Sequence, residues 1–341
     1  MASQNLGYRK LGRQIRSRLN KTLYAEVRRG RFCIDGADNV TRREWRNDNE
    51  VATRIVVPTI GEGLAFSRQL CALWNQVACG GPLIEFDFST CSFLSQQGVA
   101  FLGGLARLSE HSGREVRFIW NSLQQAIKMN LQQNGFCSTF GWGTGPWQGN
   151  SIPYREDAFL DKDALVNYLA DRWLGRDWVH LSEGLRNAVA SKASEIYINA
   201  FEHSRSPVGI FSCGQHYPKR RMVSLSAVDF GVGIPHKVRS YKATPTISAD
   251  KAMEWAFQRG TTTRKTGAGG GLGLDLLKQL VTVNGGSLTV FSHDGCAVIL
   301  NSAERYHTRE PHFGGTMITI TLRCDAAYYR LMDESANEPL F

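Results

Sequence analysis

The chain has 341 residues, of which 42% are hydrophobic and 21% charged, and it carries a net charge of +9. That length allows two domains of ordinary size, while the absence of a bilayer-length apolar run and the polar, basic N-terminus exclude a membrane-spanning or secreted class. The eight cysteines (Cys33, Cys71, Cys79, Cys91, Cys137, Cys213, Cys296 and Cys324) are scattered without a Cys-x-x-Cys pair, which excludes a zinc or disulfide framework and points to reduced thiols in a cytoplasm.

Residues 1–52 form a basic extension. Within it, Arg9, Lys10, Arg13, Arg16, Arg18 and Lys21 surround Leu11, Ile15 and Leu19, an apolar stripe at helical spacing. Such a helix could dock on a partner, an acidic surface or nucleic acid. It reads equally well as the wet face of a packed helix, and the lack of interleaved aromatics weighs against nucleic acid. Residues 22–35 read as a short hairpin around Arg29-Gly30.

Residues 53–136 alternate strands and helices. Arg54 to Val57, Leu83 to Phe88 and Val116 to Trp120 have strand character; Gly63 to Val77, Val99 to Leu108 and Leu123 to Leu131 have helical patterning. A small α/β layer is expected. The run from Phe86 to Gly98 resembles the phosphorylation loop of a STAS domain, the anti-sigma-factor antagonist fold. STAS loops switched by phosphorylation carry Asp-Ser where this chain has Ser95-Gln96, so the resemblance implies a domain that binds a protein partner without being phosphorylated. Residues 137–150, dense in glycine, proline and tryptophan, are expected to be a linker packed against a domain.

Residues 151–325 hold the motifs that carry chemistry. Glu195 and Asn199 lie one helical turn apart in a run with helical patterning, so both side chains share a face. An amide oxygen suits Mg²⁺, and a carboxylate one turn earlier could orient or deprotonate an attacking water. The same pair would also fit an ordinary surface helix. Asp229 ends the strand-like run from Met222 and precedes Gly231, Gly233 and Ile234. A carboxylate there can accept a hydrogen bond from the exocyclic amine of adenine, and the glycines allow backbone to approach closely. Asp-Phe-Gly would also make a simple turn. Gly267, Gly269, Gly270, Gly271, Leu272 and Gly273 run directly into a helical stretch, a backbone cradle suited to phosphate. It ends in neither the Gly-Lys-Ser/Thr of a Walker A loop nor the strand context of a Rossmann turn. Arg264 and Lys265 could offset phosphate charge or simply be solvated. Thr316 opens an alternating strand to Leu322.

Read in order, these motifs resemble the N-box, the two glycine boxes and the terminal Gly-Thr strand of the GHKL ATPase superfamily. That family includes histidine kinases, anti-sigma-factor serine kinases, type II topoisomerases, mismatch-repair clamps and the large heat-shock chaperone. The resemblance implies ATP and Mg²⁺ as ligands, Asn199 as the magnesium ligand, Glu195 as general base, and adenine contacts from Asp229 and Thr316. It implies a lid over about Pro235 to Thr266 and leaves a homodimer open. The implied architecture is two domains: a STAS-like α/β layer, then a Bergerat-fold α/β sandwich whose mixed sheet has helices on one face. A tail, 326–341, is too short for a clamp's transducer domain.

Neither His111 nor His180 is followed by the pattern of a phosphoacceptor histidine, which disfavours a sensor kinase. The Asn199-to-His203 ending resembles the anti-sigma-factor serine kinases most closely. Three functions follow as expectations: a Mg-dependent ATPase acting as a regulatory switch, a protein serine/threonine kinase, or a non-catalytic ATP-sensing module.

Overall fold

In a computed structural model the described residues are 32–35, 39–42, 52–258, 275–310 and 312–334. The N-terminal hairpin pairs β1 (Phe32–Asp35) with β2 (Asn39–Arg42), antiparallel. Its strands thus flank Gly36 to Asp38 rather than Arg29-Gly30, a richer turn sequence. The basic stripe at 8–21 lies outside the described residues.

Strands β3 (Thr53–Val56), β4 (Leu83–Asp87) and β5 (Glu115–Ile119) form a parallel sheet in the order β3-β4-β5. Parallel neighbours need crossovers, supplied here by α1 (Ser67–Ala78) and α2 (Gln96–His111). Helix α1 buries Leu70, Cys71, Leu73 and Val77 on one stripe. Helix α2 instead buries every residue from Gln96 to Ala106. A helix buried all round has a partner on both sides, and α2 has two: its own sheet and a second, larger one. Helices α3 (Gln125–Gln133) and α4 (Phe136–Thr139) close this layer. Beyond them Trp142 stacks on Trp120, with ring centroids 5.1 Å apart.

The larger sheet has seven strands, ordered β12-β11-β10-β13-β9-β8-β6. They are β6 (Ser151–Asp157), β8 (Ile210–Tyr217), β9 (Met222–Asp229), β10 (Ser287–Ser292), β11 (Gly295–Leu300), β12 (Ala303–Thr308) and β13 (Thr316–Arg323). Every pairing is antiparallel, not mixed as expected. Short turns join β8 to β9, β10 to β11 and β11 to β12, and a hairpin can only pair its strands antiparallel.

One face of this sheet carries α5 (Lys162–Asn167), α6 (Glu183–Asn199), α7 (Ile234–Tyr241), α8 (Ala249–Phe257) and α9 (Asp275–Asn284). Val189, Ala193, Leu225, Met253, Leu280, Val290 and Ile320 share the core there. The expectation of helices on one face alone is not met. Strand alternation sends Phe211, Cys213, Val228, Phe291 and Met317 to the opposite face, where they share a core with Phe101, Leu105 and Phe136 of the N-terminal layer. So much apolar surface on the second face has to be covered, and α2 covers it. Gly103 and Gly104 make the approach possible: a Cβ on either would lie 2.0 Å from Tyr154 Oη or from the ring of Phe230.

Downstream of β13, β14 (Tyr328–Tyr329) pairs in parallel with β7 (His180–Leu181). The tail is held further by Glu334, which accepts a hydrogen bond from the Ser182 hydroxyl at 2.6 Å. Among the described residues no helix is long and apolar enough to cross a membrane.

Candidate functional site

Helix α6 starts where Ser182 caps it, its hydroxyl accepting from the Leu185 N–H at 3.1 Å, with Glu183 in the favourable first turn. Leu185, Val189, Ala193, Ile196 and Tyr197 face the core, which turns Glu195 and Asn199 outward on a partly exposed flank. Glu195 pairs with Lys192 at 2.9 Å, an i, i+3 ion pair that keeps its side chain one-third exposed. Past Asn199 the helix widens into a π-turn, Ala200–Ser204. Such turns recur at functional sites because they re-aim the residues beside them.

That π-turn leads the chain to the end of β9. Asp229 is 5% exposed and lies in register with Thr316 of β13 and Ile210 of β8. Its Oδ1 accepts the Gly231 N–H at 2.9 Å. Burial pushes this carboxyl up to about 7, although the Gly231 N–H, the Ser204 hydroxyl and the Thr316 N–H each favour the anion. Even with these three donors burial prevails, and a carboxyl oxygen has lone pairs enough to accept a further donor such as an exocyclic amine.

The glycines beside it serve the protein's own packing first. A Cβ at Gly231 would lie 2.0 Å from the Ser204 carbonyl oxygen, and the same carbonyl accepts the Val232 N–H at 2.7 Å. Gly233 holds φ +76° and abuts Ser292, His293 and Gly315. The close approach inferred for a base is thus made by the chain itself: the loop 229–234 is clamped between the end of α6 and the start of β13.

Thr316 does not stand alone. Its hydroxyl lies 2.7 Å from that of Ser292, at the end of β10, and the Ser292 hydroxyl also accepts the Ile234 N–H at 2.7 Å. Ser292 and Ser204 are site residues that sequence reasoning missed. A serine inside a strand or at a helix end carries no pattern of its own. Lys192 was missed too, although its place three residues ahead of Glu195 is a signal that could have found it.

Asp229, Gly231, Gly233, Ile234 and Thr316 therefore meet at one end of the sheet, and the π-turn after Asn199 ties the Glu195–Asn199 helix to them. Arg264, Lys265, Gly267, Gly269, Gly270, Gly271, Leu272 and Gly273 lie outside the described residues. The first part of the expected lid is a packed helix pair rather than a loose cover. Val238 of α7 and Ala252, Met253 and Phe257 of α8 are buried, and Arg239 pairs with Asp294 at 2.9 Å.

The run from Phe86 to Gly98, expected to resemble a STAS phosphorylation loop, is also among the described residues. Gln96, at the position a phosphoacceptor would hold, is fully buried and donates to Asn130 at 3.0 Å, while Asn130 in turn donates to Gln215 of β8 at 2.8 Å. Ser95 is buried as well and donates to the Gly61 carbonyl at 2.9 Å. Ser92 is exposed, 2.8 Å from the Thr59 hydroxyl. The acceptor position faces the seven-stranded sheet, not solvent.

Residues 181–326 match the family of histidine kinase-, DNA gyrase B- and HSP90-like ATPases. The span runs from β7 to just past β13 and contains Glu195, Asn199, Asp229 and Thr316. It supports a GHKL-type, ATP-binding domain over these residues. No curated protein matches the chain at a significant level.

Proposed function

We propose that the chain binds Mg·ATP at the β9–β13 end of the seven-stranded sheet and hydrolyses it as a regulatory switch coupled to the N-terminal layer. The observation that carries this reading is the Asp229 carboxyl, buried at the junction of β9, β13 and the α6 π-turn inside a span similar to known ATPases. Asp229 accepts the adenine amine, and the Ser292–Thr316 hydroxyl pair supports the base edge. Asn199, facing outward at the last turn of α6, supplies an amide oxygen to Mg²⁺. That ion would offset the charge of the phosphates. Glu195, one turn earlier and ion-paired with Lys192, orients the attacking water and accepts its proton. The resemblance assigns the phosphates to the glycine-rich segment 267–273, which lies outside the described residues.

The one-third exposure of Glu195 also admits a serine hydroxyl of a protein substrate. Phosphate release separates these two readings. Wild-type protein is expected to release phosphate from Mg·ATP, with Glu195→Ala reducing the rate about 100-fold or more while still binding nucleotide. Binding without release in the wild type would favour a kinase or a sensing module. Failure of the wild type to bind ATP at all would sink the whole assignment.

A further inference from the structure

Phe230 sits between Asp229 and Gly231, and its ring does not point toward the nucleotide end of the sheet. It is 4% exposed and packed on the N-terminal layer. Trp74 of α1 stacks on it at 5.8 Å with the planes 10° apart, and Phe101 of α2 lies 5.3 Å away. Phe313, three residues ahead of Thr316, meets the same two rings: Phe101 at 5.1 Å and Trp74 at 6.3 Å, both edge-on. Gly314 lies against Trp74 so closely that a Cβ would sit 3.2 Å from its ring. Two rings from each unit therefore interlock. The two sheet-side rings belong to the two segments that present Asp229 and Thr316.

We infer that Trp74 is a positioning residue for the nucleotide site: through Phe230 and Phe313, the N-terminal layer holds the Asp229 loop and the Thr316 strand in binding geometry. This rests on the nucleotide reading given above. Trp74 touches no proposed nucleotide contact; it acts through two rings whose backbones carry the contacts. Close-packed interiors have low compressibility and transmit strain, so a displacement of α1 is passed through these rings to the Asp229 loop. By linkage, whatever moves α1 changes nucleotide affinity, and nucleotide occupancy changes α1 by the same factor. The half-buried Trp74 would let a partner docked on α1 act on this cluster.

The test uses the full chain with Trp74→Ala, Trp74→Phe and, as a control, Ile127→Ala, which deletes a buried side chain of the same layer outside the ring cluster. Two quantities are read: the affinity for Mg·ATP, and hydrogen exchange at the Gly231 and Val232 amides, which are bonded to Asp229 and Ser204 in the protein alone. Trp74→Ala is expected to weaken ATP about tenfold and speed exchange at both amides. Trp74→Phe should restore both, and Ile127→Ala should leave both unchanged. Should Trp74→Ala fail to fold, Trp74→Leu, which keeps apolar volume but loses the stacked face, replaces it. Unchanged exchange at Gly231 and Val232 in the Trp74 variant overturns the inference, as does an equal effect of Ile127→Ala. Exchange is read without nucleotide, so a wild type that binds no ATP would remove the functional reading, while the exchange still decides whether Trp74 holds the Asp229 loop.

Discussion

A carboxyl sealed beneath a strand end is costly to keep ionised, and Asp229 is such a group. With burial holding it up to about 7, it takes a proton in the folded protein over a range where the unfolded chain has already lost one. The associated stability is fully present below about pH 4, the ordinary aspartate range, and is lost as pH rises through about 7. Denaturant unfolding at pH 5 and pH 8 should therefore show a drop in wild-type stability that Asp229→Asn lacks. ATP affinity should run the other way. A carboxylate accepts the adenine amine, so binding should tighten as pH rises from 6 to 8, and Asp229→Asn should bind weakly at every pH. If Asp229→Asn binds as the wild type does, adenine lies elsewhere. At this scale the sequence was readable where a residue type has few uses: an acid between a strand and two glycines, or an amide one turn from an acid. Ser292 and Ser204 were not readable, because hydroxyls bond wherever the fold brings donors. Phe230 read as filler in a turn, since nothing local says which face its ring will take.

Elements were legible to the extent that they face one neighbour. Helix α1 and strands β3, β4 and β5 fall close to where periodicity puts them. Helix α2 was shorter in the pattern than in the fold, because Gln96, Gln97, Gly103 and Gly104 blur an apolar stripe. Those same residues explain why it is buried on both sides: the glutamines satisfy polar partners, and the glycines let it lie close to the sheet. This gives a prediction with an unusual sign. In a helix interior, glycine to alanine normally stabilises by up to about 1 kcal/mol. At Gly104 the new Cβ would lie 2.0 Å from a ring carbon of Phe230, so Gly104→Ala should instead cost about 1–3 kcal/mol through overpacking. Thermal unfolding checks the sign, and a stabilised variant would mean that α2 does not press on the Asp229 loop. The antiparallel order of the seven strands was harder to foresee, since pairing partners are set by turn lengths and long-range packing rather than by strand composition.

At the scale of the molecule, the sequence reads as two units because a loop dense in glycine and proline separates two runs of patterned chain. Nothing in either run announces that they share a core, because an apolar residue on a strand does not say what will cover it. The sharing has an energetic consequence. Tyr154, Phe211, Val228, Phe291 and Met317 of the sheet, with Phe230 and Phe313 in the loops at its end, have their core completed by α1 and α2. Each buried side chain of this size contributes about 1.5–3 kcal/mol by leaving water. Exposing all of them would cost on the order of 10 kcal/mol, as much as the whole stability of an ordinary domain, about 5–15 kcal/mol. A fragment from residue 151 onward should therefore fail to fold cooperatively on its own, although it contains the entire span that resembles known ATPases. Soluble yield, circular dichroism and thermal unfolding would show this. Adding the segment 52–140 as a separate chain should restore a cooperative transition, since what is missing is a surface and not a covalent link. A fragment that folds alone and binds ATP with full affinity would mean that the second face of the sheet tolerates water and that the N-terminal layer is only a passenger. Loss of folding and of binding together, both recovered in trans, would show that the sheet needs that layer's surface to build the site at its end.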